Sequence, residues 1–210
     1  MTSIAAHERA LLCAEAQQVG PDAPTLCEGW TVKDLVVHLL VREGHPASAA
    51  ILVPQLQGFL DRASAKASAE DFTTLVKKLR HGPPAYSPFA LPKVGAALNM
   101  VEFYIHHEDI RRAQPAWEPR SLTAREQDGI WRAVRHGGRM LVTGADVGVV
   151  AERSDTGERA ALKKGHREVV VRGVPSEIVL YVYGRQDHAH VDVLGDPEDV
   201  TSLGDAPLGI

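Results

Sequence analysis

The chain has 210 residues, 44% hydrophobic and 24% charged, with a formal net charge of −4 and a pI near 6.2. That length suits one domain of ordinary size, or one domain with a small appendage, around a packed core. The weak acidity, with no basic cluster beyond pairs such as Lys77-Lys78 and Lys163-Lys164, argues against a nucleic-acid binder. No apolar run approaches the ~20 residues that cross a bilayer. The opening stretch "MTSIAAHERALLCAEAQ" is charged and helical in pattern, unlike a signal peptide. Cys13 and Cys27 stand apart with no CxxC. A reduced, cytoplasmic protein without a disulfide framework is therefore expected.

Taken in chain order, residues 3–19 carry Ile4, Ala5, Leu11, Leu12, Ala16 and Val19 near one helical stripe. Gly20-Pro21 and Pro24 end that helix. Thr31 opens a second helix, with Asp34 three residues on in the place of a capping-box Glu. This helix, "VKDLVVHLLVREG", ends near Gly44. Residues 46–65 predict another helix, with Pro54 as a point of interruption. A short helix over 69–80 is opened by Glu70 and Asp71. The proline-rich stretch from 81 to 92 is a loop. A long helix over about 92–113 follows, with Pro92 in its first turn. Residues 123–140 predict a further helix, capped by Thr123 and Glu126.

After Gly144 the pattern changes. "VGVVAERSDTGERAAL" reads as two strands around an Asp-Thr-Gly turn, and "REVVVRG" as a third. A helix from Pro175, a strand in "HVDVLGD" and a closing helical turn in "PEDVTSL" complete the chain. The expected organisation is an all-helical part over 1–140 and a small α+β part over 141–210.

The long helix poses the chemical question. "NMVEFYIHHEDIRRA" sets Glu102, His106, His107, Glu108 and Asp109 among residues that want burial. Glu102 and His106 are four apart, so they share a helical face about 5–6 Å apart at Cβ. On the second helix, His38 sits inside the apolar "DLVVHLL". A buried polar group without a partner costs about 1–3 kcal/mol, and a carboxylate more. Two imidazoles and one carboxylate on facing helices could satisfy each other through one metal and leave an open position. The same residues also fit a hydrogen-bonded core histidine beside a plain i,i+4 ion pair. His107 points about 100° away from His106 around the helix and faces a neighbour. Asp109 reads equally as a ligand-orienting acid or a structural one. Trp30 reads as a core anchor. His188 and His190 lie one residue apart at a strand entry, where exposure is expected. No GxSxG, P-loop or GxGxxG context occurs.

Two stretches carry a family resemblance. "LCEGWTVKDLVVHLL" and "VEFYIHHEDIRRA" resemble the second- and third-helix motifs of the mycothiol-dependent maleylpyruvate isomerase family, a branch of the DinB/YfiT-like metalloprotein superfamily. The loop and post-helix sequences bring the chain nearest to an actinobacterial metal-binding branch. The resemblance spans most of residues 1–140. It implies a four-helix bundle with three metal ligands at His38, Glu102 and His106, and zinc as the usual metal. Mycothiol is the implied thiol cosubstrate. The implied reaction is S-transfer or cis–trans isomerisation of a small electrophile; the alternative is a metal-binding protein that kept the site without the chemistry. "PSEIVLYVYGRQDHAHVDVLGD" is similar to the small α+β domain of these proteins, related to sterol-carrier-protein folds. On that resemblance Arg185 matches an arginine that serves the active site; Gly184-Arg185 also fits a simple helix C-cap.

Overall fold

A computed structural model describes residues 4–44, 64, 67–90 and 92–209, with backbone alone at 88 and 92–98. The chain is mostly helical with a small four-stranded mixed sheet. It divides into two compact units, Met1–Trp117 and Glu118–Ile210.

The first unit contains α1 (Ile4–Val19), α2 (Val32–Gly44), α3 (Phe72–His81) and α4 (Pro92–Arg112). The expected helix over 46–65 lies, Ser64 apart, outside the described residues. Leu12 and Ala16 of α1, Leu35, Val36 and Leu39 of α2, Leu75 and Leu79 of α3, and Phe103 and Ile110 of α4 form one buried cluster. Cys13 belongs to it, with Sγ 3.9 Å from the Val76 carbonyl. Burial, opposed by the nearby Arg80 and Arg9, pushes its thiol up to about 11, so Cys13 is an inert structural residue. The Thr31–Asp34 box forms as expected: the Thr31 amide donates to Asp34 Oδ2 at 2.9 Å, and the Asp34 amide to Thr31 Oγ1 at 3.3 Å. Helix α3 starts at Phe72 rather than at residue 69 as expected, because Asp71 acts as the cap and accepts from the Thr74 amide.

The second unit opens with α5 (Ala124–Leu141), whose Thr123–Glu126 capping box is complete. Strands β1 (Gly148–Arg153) and β2 (Arg159–Lys163) form an antiparallel hairpin. β3 (Glu168–Gly173) runs parallel to β1, and β4 (Asp192–Leu194) closes the sheet antiparallel to β3, giving the order β2-β1-β3-β4. Helices α6 (Pro175–Val182) and α7 (Pro197–Gly204) pack against β3.

The division therefore falls at Trp117/Glu118, not near residue 140 as the change of pattern predicted. Helix α5 carries a helical period, but its apolar face is spent on the second unit. Gly138 lies so close to Leu162 of β2 that an added Cβ would meet Cδ2 at 3.0 Å. Gln127 and Ser176 exchange two hydrogen bonds, at 2.9 and 3.0 Å, tying α5 to α6. Arg153, buried at the end of β1, reaches Asp128 of α5 at 2.7 Å and grips Asp155 through Nε and Nη2. Periodicity reports that a face is apolar, not which neighbour covers it.

Candidate metal centre

Three elements of the first unit build the site. Helix α2 supplies His38. Helix α4 supplies Glu102, His106 and Asp109. The loop between α1 and α2 supplies Cys27 and Trp30. That loop is fixed on α4 by the Leu26 amide, which donates to the Asp109 carbonyl at 3.0 Å. Within it the Trp30 amide donates to the Cys27 carbonyl at 3.0 Å. Gly29 sits in this turn at a φ of 75°, a conformation that favours glycine. The "CEGW" stretch is thus a turn that delivers Cys27 and Trp30 to one end of α2.

His38, Glu102 and His106 converge, with one ligand atom from each lying within 4.8 Å of the others. Glu102 Oε1 stands 3.5 Å from His38 Nε2 and 3.3 Å from His106 Nε2. Charge-assisted N–H···O⁻ bonds run shorter, at about 2.7–2.9 Å. Metal–ligand bonds of about 2.0–2.2 Å at a tetrahedral angle separate neighbouring ligand atoms by about 3.3–3.6 Å. Two imidazole nitrogens and a carboxylate oxygen at these separations fit a borderline divalent ion such as zinc. His38 is the open side of the site, with its side chain 32% exposed.

The other nitrogen of His106 is also engaged. Nδ1–H donates to Asp109 Oδ2 at 3.0 Å, and Asp109 is fully buried. This carboxylate fixes the ring's tautomer and directs Nε2 at Glu102 and His38. The Cys27 thiol donates to the same Oδ2 at 3.2 Å and lies 3.9 Å from His106 Nδ1. Cys27, His106 and Asp109 form a second set of clustered donor atoms on the far edge of the ring. Burial opposes protonation of His106, but its bonds with Asp109, Cys27 and Glu102 outweigh burial and hold its pKa well above the ordinary value. Burial pushes Glu102 up, yet His106 and His38, followed by the Arg42 charge, hold it far below the usual carboxylate range.

If Asp109 orients the ring, Asp109→Ala should weaken zinc binding about 10–100-fold. A competition titration against a chromophoric chelator measures this. Unchanged affinity would reduce Asp109 to a structural acid.

The remaining sequence expectations fall as follows. His107 is buried away from the site, its Nδ1 3.4 Å from Glu8 Oε2 of α1. Trp30 is not a core anchor: it is 37% exposed, and its ring lies 5.0 Å from that of His38. His190 is exposed, whereas His188 is half-buried in a 3-10 turn. Arg185 belongs to the second unit and follows α6. The Gly184 amide bonds the Tyr181 carbonyl at 3.1 Å and the Arg185 amide bonds Leu180 at 3.0 Å, with Gly184 at a φ of 86°. That is a Schellman cap, and Arg185 Nη1 folds back on the Tyr183 carbonyl at 2.6 Å. Sequence reasoning missed Arg42, whose Nε stands 3.2 Å from Glu102 Oε1. Its spacing of four from His38 on one helix was a readable sign. Cys27 offered none, because the folding of its loop alone brings it to Asp109.

Residues 3–172 match the family described as "Mycothiol maleylpyruvate isomerase N-terminal domain". Among solved structures, the chain is similar to the mycothiol-dependent maleylpyruvate isomerase, with 18% identity and a TM-score of 0.62 over 90% of each chain. It is also similar to a histidine-to-alanine mutant of the mycothiol-dependent maleylpyruvate isomerase, with 17% identity and the same TM-score and coverage. At such identities the structural likeness is one of fold. No curated protein matches the chain by sequence.

Proposed function

The chain belongs to the mycothiol maleylpyruvate isomerase N-terminal domain family, and from that premise we propose that it is a zinc-dependent enzyme. It uses a low-molecular-weight thiol, mycothiol by family, on a small electrophile. The observation that carries this reading is the meeting of His38, Glu102 and His106 on one open-sided site. We read the first unit as a DinB-like metal-binding bundle and the second as a sterol-carrier-protein-like mixed domain. No helix among the described residues is long and apolar enough to cross a membrane.

In this reading His38, Glu102 and His106 would hold the ion, a three-ligand set of the kind that catalytic zinc sites use. Bound zinc lowers the pKa of a coordinating thiol, so that thiolate is present at neutral pH. The thiolate sulfur would add to an alkene carbon conjugated with a carbonyl, the C=C π pair moving onto the carbonyl oxygen as an enolate. Return of the thiol's proton to that enolate retains the adduct, which is S-transfer; rotation about the new single bond and expulsion of the thiolate restores the double bond in trans form, which is isomerisation. Asp109 holds the proton on His106 Nδ1, which keeps Nε2 available as a ligand. Trp30 flanks His38 at the open side. The loop after α3 is tied to the end of α2 by Ser87 Oγ and Tyr86 Oη, which donate to the Glu43 and Gly44 carbonyls. It therefore shapes the entrance. Arg185 is assigned to a substrate carboxylate through the family resemblance.

The test begins with metal analysis of the purified protein. Zinc-loaded protein is then given maleylpyruvate with and without mycothiol. Thiol-dependent product formation is expected. Product that forms equally without thiol overturns the mechanism. Zinc binding with no product under any thiol favours a non-catalytic metal-binding protein. Arg185→Ala should keep its zinc and chiefly lose efficiency on carboxylate-bearing substrates, about ten- to a hundredfold; full activity there removes only the arginine's role.

A further inference from the structure

Arg42 has no part in holding a metal, yet it occupies the metal site. It lies one helical turn beyond His38 on the same face of α2, with its side chain 11% exposed. Its Nε is 3.2 Å from Glu102 Oε1, the oxygen that His38 and His106 both approach. A guanidinium is cationic at every physiological pH. Placing one beside a site for a dication is unfavourable unless an anion also arrives.

The charges near the site make the point concrete. A divalent ion is offset by the two carboxylates that face it or its ligand, Glu102 and Asp109. Glu43, the next acid on α2, is already taken by Arg9 at 2.6 Å and by the Asn99 amide at 3.0 Å. Once Glu102 serves the ion, the Arg42 charge is left over among the described residues. Its donors are also only partly used. Nη1 donates to Asn99 Oδ1 at 2.8 Å. Among the described residues Nη2 has no hydrogen-bond partner.

Arg42 is also held in advance. The Phe89 ring lies under the guanidinium, 4.7 Å from Cζ to the ring centroid. Asn99 is fixed at its other end by Glu43, and Glu43 by Arg9. A cation locked by a ring and an amide loses little freedom when it meets a ligand, which favours tight and oriented binding.

We infer that Arg42 is a specificity residue that binds a carboxylate of the substrate beside the metal, so that the site selects small anionic electrophiles. This rests on the metal-site reading above and adds to it a recognition point within the first unit itself. A residue that merely positioned Glu102 would act on metal affinity and leave anion binding untouched.

The experiment separates the two. Zinc affinity is measured first, for the wild-type protein and for Arg42→Ala and Arg42→Lys. Each protein, saturated with zinc and with its metal content verified, is then titrated calorimetrically with maleate and, separately, with neutral maleamide. Maleate binding is expected to weaken about ten- to a hundredfold in Arg42→Ala. Arg42→Lys should recover part of the loss, because it restores charge without the planar fork. Maleamide binding should not depend on residue 42. Equal maleate binding in wild type and Arg42→Ala, or none in wild type, overturns the inference. If wild-type protein binds no zinc, the metal reading fails by itself. The same maleate titration on zinc-free protein then decides Arg42: dependence on residue 42 upholds it, and independence overturns it.

Discussion

His106→Ala is expected to lower zinc affinity by more than the 10–100-fold due to losing an outer partner, and to abolish thiol-dependent activity with it. Among the described residues His106 belongs to both donor clusters: Nε2 faces Glu102 at 3.3 Å and Nδ1 faces Asp109 at 3.0 Å. Its removal deletes a ligand and also takes a partner from a fully buried carboxylate. Some loss of stability is therefore expected beside the loss of metal. His38→Ala is the control, since His38 is the most exposed of the three and its removal leaves the Asp109 contacts in place. Both variants should fail to retain zinc in equilibrium dialysis while keeping a native circular dichroism spectrum. A His38→Ala protein that binds zinc as tightly as wild type would show that the three residues do not form a metal site.

Arg9→Met should cost about 3–5 kcal/mol, the range found when one partner of a buried ion pair is removed. Arg9 Nη2 donates to Glu43 Oε1 at 2.6 Å, Nη1 reaches the Leu79 carbonyl at 3.3 Å, and the guanidinium covers the Phe103 ring at 4.6 Å. Burial raises the Glu43 carboxyl above its usual range even though Arg9 and Arg42 oppose it. An acid whose folded-state pKa is raised contributes most below its unfolded pKa, and that contribution is lost as pH rises through the folded value. Without Arg9 the carboxyl is pushed higher still. The deficit of Arg9→Met should therefore be largest near neutral pH and smaller near pH 5, on the acid side where protonation of Glu43 is favoured. Urea unfolding at the two pH values measures this. The double variant Arg9→Met/Glu43→Leu should recover most of the loss, because no charge remains buried. A deficit equal at both pH values would show that the lost packing on Phe103, not the charge, carries the effect.

Much of this protein is legible before any coordinates. The apolar stripes of α1, α2 and α5, the two capping boxes and the Asp-Thr-Gly hairpin are local features, written within a few residues of where they act. The candidate ligands are visible for the same reason. A histidine in "DLVVHLL" and a Glu-xxx-His pair in an apolar helix are conflicts between local sequence and burial, and such conflicts mark sites. The Gly184 cap is equally local, and its Schellman bonds form within five residues of one another.

What the sequence determined by itself, among the described residues, is the set of helices and strands, and which of them carry the candidate ligands. Those follow from periodicity and from the conformational demands of single residues such as Gly20, Pro21 and Pro175. What only the tertiary structure decided is who meets whom. It assigned α5 to the sheet rather than to the first helices, through Gly138 against Leu162 and Arg153 against Asp128. It brought Cys27 to Asp109 across 82 positions of sequence, Asn99 to Glu43 across 56 and Arg42 to Asn99 across 57. A side chain's burial pressure is encoded where it stands, but its partner is chosen by packing between elements far apart in the chain. No spacing rule reaches that far.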